Sequence, residues 1–506
     1  MWVRILISVV LASIVARASS LASCPPMVCS CSSPDNSADC ANRGLLKTPL
    51  SLPTTLKSLD LSKNMLDLVD TTEIQAMSEL QFLDLSSNRL SGFSFSGTHY
   101  KLRKLDLSSN NITTVRSLQI DALIHLAELN LANNKIISLP STAFPSGAFL
   151  RTLNLKNNQI VALDEKCMDS LTSLETLILS RNNLSSLPKG LFKNLTSLQT
   201  LELNKNKFVE VQSLVFHGLD NLKVLRLKRN QIEYLGTGAF HGLNHIAELS
   251  LDKNKLKEIN LDWLYGLHTL TYLSLAHNNI DYIHDDSWKH CTSLDELDLR
   301  SNQLQVLHPL DLSHLPNLTH LYLQDNKISQ IEEKTFSETV PQLETLALDG
   351  NQLSHTIENM EAPFNISKLK TLSLSHNAFN SIGNKAFVGL NSVEVIDIRD
   401  NVISTVQENA FKHLPRLRSI LMNSASMLCD CYLKWLPKWM NETLSLNQGQ
   451  VMATCAHPEK LKGQYITFVP YDSYTCDDFP KPYILKQPET QVTLRGENLT
   501  LTCRAA

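Results

Sequence analysis

The fold class this 506-residue sequence predicts is a solenoid of short parallel strands, an α/β horseshoe with a disulfide-bonded cap at each end. Three observations predict it: an eleven-residue apolar pattern that recurs fifteen times, two even-numbered cysteine clusters at its ends, and a leader that sends the chain into an oxidising compartment. Self-similarity at a period of 20 to 50 residues outranks local propensity as a fold signal, because one such unit cannot bury its apolar face alone.

The pattern is L-x-x-L-x-L-x-x-N-x-L, as in Leu174, Leu177, Leu179, Asn182 and Leu184. Its asparagines are Asn64, Asn88, Asn110, Asn134, Asn158, Asn182, Asn206, Asn230, Asn254, Asn278, Asn302, Asn326, Asn351, Asn377 and Asn401. Most lie 24 residues apart, with steps of 22 at Asn110, 25 at Asn351 and 26 at Asn377. The alternating L-x-L marks a short strand whose leucines share one face, and stacking the leucine-rich repeats buries them in a continuous core. The asparagine falls where the strand ends. Its carboxamide both donates and accepts, so it can satisfy backbone groups that stacking would strand in the core. A second apolar row, ten residues after the asparagine, includes Phe144, Met168, Phe192, Phe216, Phe240, Leu264, Trp288, Phe336, Phe387 and Phe411 and forms the convex-side anchors.

The organisation read from the chain is a signal peptide at 1–22, a cysteine-rich cap at 23–53, fifteen repeats at 54–414, a second cap at 415–478 and a further segment at 480–506. Arg4, the apolar run Ile5 to Val15 and the small residues after it make the leader, which is too short to span a bilayer comfortably. Cys24, Cys29, Cys31 and Cys40 stand at the front, and Cys429, Cys431, Cys455 and Cys476 near the back. Behind a secretory leader these are disulfides rather than zinc ligands, and four cysteines allow three pairings between which sequence does not choose. Cys291 replaces a core leucine and Cys167 adjoins Met168, so both read as buried free thiols.

The composition excludes several function classes. With 46 basic and 50 acidic residues there is no broad field for nucleic acid or anionic membrane. Sixteen glycines form no phosphate-cradling loop, and the pairs His241 with His245 and His277 with His284 lack a third ligand at fixed spacing. The reading is a binding protein, not an enzyme, with no cofactor. Acceptor sequons stand at Asn111, Asn183, Asn194, Asn317, Asn365, Asn441 and Asn498. None of the five inside the repeats falls on an outward strand position, so the concave face is expected to stay bare of glycans.

Outward positions of the strands should carry ligand contacts. In the central repeats they include Arg226, Tyr272, Arg300, His320 and Tyr322, the residue types that often dominate binding energy. The plainer reading is a solvated face whose charges pair across repeats, Arg226 with Glu248 or Glu202. By the same register Ser250 faces outward, and its substitution is expected to be nearly neutral.

Three stretches narrow the match. They are Cys429-Asp430-Cys431-Tyr432-Leu433-Lys434-Trp435-Leu436-Pro437, then Ala453-Thr454-Cys455-Ala456-His457-Pro458-Glu459, then Cys476-Asp477-Asp478-Phe479 leading to Gln487-Pro488-Glu489-Thr490. With fifteen repeats, the longer repeat around His355-Thr356-Ile357-Glu358-Asn359, and a segment at 480–506 that looks like the first strands of an immunoglobulin domain ending in Cys503, the chain resembles the "leucine-rich repeats and immunoglobulin-like domains" family. The front motif also resembles the N-terminal caps of extracellular leucine-rich-repeat proteins. These resemblances imply the pairings Cys24–Cys31, Cys29–Cys40, Cys429–Cys455 and Cys431–Cys476. One departure is visible: Ser424 to Met427 lack the Asn-Pro-Trp usual before Cys-Asp-Cys.

The family likeness further implies a single-pass cell-surface protein, of which this chain is an extracellular fragment. It implies regulation of growth-factor receptor signalling, with receptor tyrosine kinases of the epidermal-growth-factor-receptor type as partners, or a role in bone-morphogenetic-protein signalling. The competing expectation is an adhesion or synapse-organising protein, which uses the same layout.

Overall fold

A computed structural model of the chain describes residues 28–476 apart from 33, 70, 93–100, 119–122, 145–148, 361 and 444–450, together with 484–486 and 504–505. The described residues form a solenoid built on one 18-stranded sheet. Its strands are three residues each, and every L-x-L of the pattern supplies one, from Ser58–Asp60 in the Asn64 coil to Val395–Asp397 in the Asn401 coil. They pair in parallel with no register slip: Leu177 lies beside Leu201, Leu201 beside Leu225, Leu225 beside Leu249. The longer steps before Asn351 and Asn377 leave the sheet in register, with Leu321 beside Leu346 and Leu346 beside Leu372. The extra residues are absorbed on the convex side, where the short helix Thr356–Asn359 lies.

The sheet runs past the pattern at both ends. At the front, Ser37–Asp39 pairs in parallel with Ser58–Asp60 and turns back antiparallel onto Ser30–Ser32. At the back, Ser419–Leu421 adds a parallel strand after Val395–Asp397. The sixteenth coil therefore has the strand without the asparagine: Ser424 Oγ donates to the Ile403 carbonyl at 2.6 Å, at the place where the usual motif is missing.

The ladder explains why each coil closes as it does. Asn206 Nδ2 donates to the carbonyls of Leu179 in the previous coil and Leu203 in its own, each at 3.0 Å. Its Oδ1 accepts from the Leu184 amide at 3.1 Å. The same three-way contact recurs at Asn158, Asn182, Asn254, Asn278, Asn302 and Asn326. A buried amide left without a partner costs about 1–3 kcal/mol, so the asparagine side chain stands in for the backbone partner that a tight turn lacks.

The α component of the horseshoe is slight. Convex segments are turns and two-residue strand pairs, such as Glu210–Val211 beside Tyr234–Leu235, and among the described residues of the repeats the α-helices are the single turns Thr71–Gln75, Leu261–Leu264 and Thr356–Asn359, with 3-10 turns at Val115–Leu118 and Pro309–Leu312. A coil of about 24 residues spends most of its length on the strand, two turns and the apolar anchors, leaving no room for a longer helix. Those anchors stack: Phe192 on Phe216 at 6.1 Å and Phe216 on Phe240 at 5.9 Å, with Trp263 edge-on to Phe240. In the 26-residue coil Phe364 takes this place against Phe336.

The ends are closed by disulfides and aromatic rings. Cys29 is bonded to Cys40, Cys429 to Cys455 and Cys431 to Cys476. Cys31 is disulfide-bonded as well; Cys24, which the resemblance pairs with it, lies outside the described residues. The helix Trp435–Thr443 lies over the last coil, with Trp439 stacked on Phe411 at 5.1 Å. Cys167 and Cys291 are buried free thiols, and burial pushes each thiol up to about 12, which keeps them protonated and unreactive. The strands Ile484–Lys486 and Arg504–Ala505 pair antiparallel; the rest of the segment read as an immunoglobulin start, Asn498 and Cys503 included, lies outside the described residues, as does the leader.

Candidate functional site

The sheet holds its outward side chains in register across the coils, and its central coils carry arginine, histidine and tyrosine side chains. Register puts Tyr272, Glu296 and His320 in one row across adjacent strands, and Ser274, Asp298 and Tyr322 in the next. Arg300, one row further on, folds back. Its Nε and Nη2 take the two Asp298 oxygens at 2.9 and 2.7 Å, and its guanidinium lies 5.5 Å from the Tyr322 ring centre. His320 stacks loosely against Tyr322, with ring centres 6.5 Å apart. Tyr272, Arg300, His320 and Tyr322 thus form one cluster.

Electrostatics bind this cluster together. Asp298 is buried to 2 % exposure, and its bidentate grip raises the Arg300 guanidinium further above its ordinary value, with Tyr272 and Tyr322 also contributing. Burial raises the Tyr272 and Tyr322 phenols, so both remain neutral donors at physiological pH. An aromatic cluster under a fixed guanidinium can accept a ring, a carboxylate or a carbonyl from a partner.

Arg226 stands apart. It lies on the strand two before that of Tyr272, and its Nε and Nη2 take both Glu248 oxygens at 2.8 and 3.0 Å while Nη1 takes Glu202 at 2.9 Å. The pairing across repeats holds for Arg226 on both sides at once, and its charge is spent within the sheet.

Ser250 corrects the expectation drawn from register. It does point to the concave side, yet it is fully buried, as is Ser274 beside it, because Arg226, Glu248 and Tyr272 on the neighbouring positions close over them. A larger side chain at Ser250 would displace that cover. Sequence reasoning also passed over Asp298 as the residue that positions Arg300; its signal was the D-x-R spacing on one strand, repeated at Asp397 and Arg399, where Arg399 Nη2 meets Asp397 at 2.6 Å.

Among the described residues the acceptor asparagines lie off the strands. Asn317, Asn365 and Asn441 are exposed, and Asn111, Asn183 and Asn194 half-buried. No group of three or more His, Cys, Asp or Glu side chains that could hold a metal occurs among the described residues, and no helix among them is long and apolar enough to cross a membrane.

Comparison with known proteins agrees with this geometry. The "Leucine rich repeat" family model matches in overlapping copies across residues 124–353 and again at 367–426, with related repeat models at 79–99 and 101–115. Human leucine-rich repeats and immunoglobulin-like domains protein 3 is 38% identical over 152 residues, 30% of this chain and 13% of that protein. The human protein 1 of the same name is 53% identical over 85 residues, 17% of this chain and 8% of its own length. The matches therefore span only a small part of those relatives. Among solved structures, a Leptospira interrogans LRR protein superposes with a TM-score of 0.60 at 26% identity, covering 75% of this chain and 94% of that one. A chain of the Drosophila Toll–Spatzle complex gives a TM-score of 0.67 at 22% identity, over 82% of this chain and 60% of that one, and shows the shared fold alone. With that repeat matched over more than half of its length and the asparagine ladder running through it, the chain belongs to the leucine-rich repeat family.

Proposed function

We propose that this chain is the extracellular, protein-binding part of a cell-surface regulator of growth-factor receptor signalling, and that it binds rather than catalyses. The single observation that carries the binding role is the Tyr272, Arg300, His320 and Tyr322 cluster, fixed on the concave sheet by Asp298. Similarity to the leucine-rich repeats and immunoglobulin-like domains proteins supports the choice of partner class: a receptor tyrosine kinase of the epidermal-growth-factor-receptor type. On this reading residues 480–506 open an immunoglobulin-like domain, the sequons carry glycans, and the whole protein is anchored by a span beyond this chain.

A second reading is adhesion, since the repeats are also shared outside the immunoglobulin-like family. A zebrafish leucine-rich repeat and fibronectin type III domain-containing protein is 30% identical over 190 residues, 35% of this chain. Proximity labelling of surface proteins by the full-length protein separates the two: receptor kinases support regulation, matching ectodomains on neighbouring cells support adhesion. For the site itself, Tyr322→Ala with Arg300→Glu should weaken binding to the recovered partner by about tenfold or more while hardly moving the melting temperature. Unchanged affinity would remove this patch from the interface.

A further inference from the structure

The residue just before each ladder asparagine adopts a left-handed backbone, a conformation that suits glycine and asparagine better than long side chains. In several coils the row it forms is made of complementary neighbours. Asn157 donates to Asn133 at 2.8 Å, Asn133 to Ser109 at 3.3 Å, and His376 meets Asp400 at 3.2 Å. These contacts show that side chains of this row in adjacent coils reach one another.

Four consecutive coils break the rule. Arg181, Lys205, Arg229 and Lys253 occupy the row with φ of 60°, 56°, 56° and 56°. Arg181, Arg229 and Lys253 are exposed, Lys205 is half-buried, and none has a carboxylate within ion-pair reach among the described residues. The nearby acids are engaged elsewhere: Asp252 holds Lys228 at 3.2 Å and Glu233 holds Lys255 at 2.9 Å. The repulsion registers on Lys205, whose ammonium loses its proton more readily than usual, first because of Arg181, then burial, then Arg229 and Lys156. Like charges on adjacent strands destabilise a sheet, and here they sit on a backbone conformation that disfavours them as well. In a chain with a net charge of −4, such a row is a local concentration of mostly exposed positive charge.

We propose that Arg181, Lys205, Arg229 and Lys253 form a binding row for a linear sulfated polysaccharide of the glycosaminoglycan class. At the strand spacing of about 4.8 Å the four cations span roughly 14 Å in a line one residue wide. The columns on either side are mixed: Ser180, Asn204, Lys228 and Asp252 on one, Asn183, Lys207, Gln231 and Lys255 on the other. A narrow polymer with a regular charge repeat fits such a line, whereas a membrane surface would call for cations across the whole face. The two arginines offer the forked donors that match a sulfate oxygen pair, and the two lysines serve as point charges between them.

The test measures binding of the secreted, glycosylated chain to immobilised heparin, to phosphatidylserine vesicles and to poly-glutamate. Heparin should be retained at about 150 mM salt, and its affinity should fall on the order of fiftyfold between about 50 and 200 mM, as release of counterions from four contacts requires. Arg181→Asn, Lys205→Asn, Arg229→Asn and Lys253→Asn together should weaken heparin binding by about tenfold or more. The same variant should melt at an equal or higher temperature, because asparagine suits the backbone and the repulsion is gone. A charge-matched control, Lys47→Gln, Lys57→Gln, Lys327→Gln and Lys412→Gln, should keep most of the affinity. Loss of heparin binding in the control and not in the row variant would overturn the proposal. So would stronger retention on vesicles or on poly-glutamate than on heparin, which would reassign the row to a membrane or to an acidic protein.

Discussion

The first coils and the central coils use the same sheet position in opposite ways. In the Asn64, Asn88 and Asn110 coils the middle outward residue is Asp60, Asp84 and Asp106, three carboxylates stacked on adjacent strands. Each is held by its own coil, accepting the amide of Ser62, Ser86 or Ser108 at 2.8 Å. In the Asn206, Asn230 and Asn254 coils charges are held by neighbours: Arg226 ties Glu202 to Glu248, and Lys228 reaches Asp252. Stacking identical units brings equivalent side chains within about 5 Å, so a repeated charge is penalised unless its own backbone or an opposite neighbour answers it. The first coils take the local answer and stay acidic. The Asn206 to Asn254 coils take the cross-strand answer, whereas in the Asn302 coil Asp298 again takes the local one, accepting its own coil's Arg300 amide and fixing the Arg300 guanidinium for the binding face.

The largest effect should come from the feature that both regions share. Asn206→Ala removes three hydrogen bonds at once and orphans buried groups of Leu179, Leu184 and Leu203. A loss of about 3 kcal/mol is expected, read as a drop in the denaturant midpoint. An unaltered midpoint would mean that water or a backbone shift can replace the ladder, and the comparison would then rest on something other than a common frame.

The order of the aromatic site should break next. Asp298→Ala strips Arg300 of both carboxylate contacts and of the acceptor for its own amide, 3.1 Å away. Because the guanidinium is half-exposed and can turn to water, the cost should be about 1–2 kcal/mol rather than that of a fully buried pair. The sharper readout is positional: Arg300 should leave the Tyr322 ring, so the variant should lose partner affinity nearly as Arg300→Glu does. Retained affinity would show that Asp298 supports the sheet without setting the face.

The frame was legible because its cause is periodic. One asparagine every 24 residues and an L-x-L before it are enough to set strands, register and core, and the phenylalanines ten residues on mark the convex stack. What lies across from a side chain is not periodic, and there the reading fell short. Register places Ser250 on the concave side but cannot say that Arg226 and Tyr272 will cover it. It offers Glu202 or Glu248 to Arg226, whereas the guanidinium is long enough to take both. It places Arg226 and Tyr322 on one face, yet pairing divides them into a spent ion cluster and an aromatic site. In the longer Asn351 coil the convex phenylalanine stands three residues past the expected column, at Phe364.

The smallest expected effect tests the first coils. Asp84 is partly buried between Asp60 and Asp106, and its carboxyl is raised above 3.8, chiefly by burial, with the Ser86 contacts opposing and the two neighbouring carboxylates adding to the shift. A carboxyl raised in the folded state binds its proton more tightly there than in the unfolded chain. Its burial is therefore harmless at low pH, where both states are protonated, and becomes a penalty as pH climbs through 3.8 and past the folded value. Asp84→Ser removes the charge while leaving an oxygen to accept the Ser86 amide; asparagine there would create an acceptor sequon with Leu85 and Ser86. At neutral pH the serine variant should be more stable by a few tenths of a kcal/mol, on the order of half a degree in melting temperature, a size set by the solvent that still reaches the site. The gain should fade as pH falls through 3.8 and vanish below about pH 3, where the aspartate is neutral in both states. A loss of stability at neutral pH would show that the Ser86 contact outweighs burial and repulsion, and the acidic coils would then be held as firmly as the central ones.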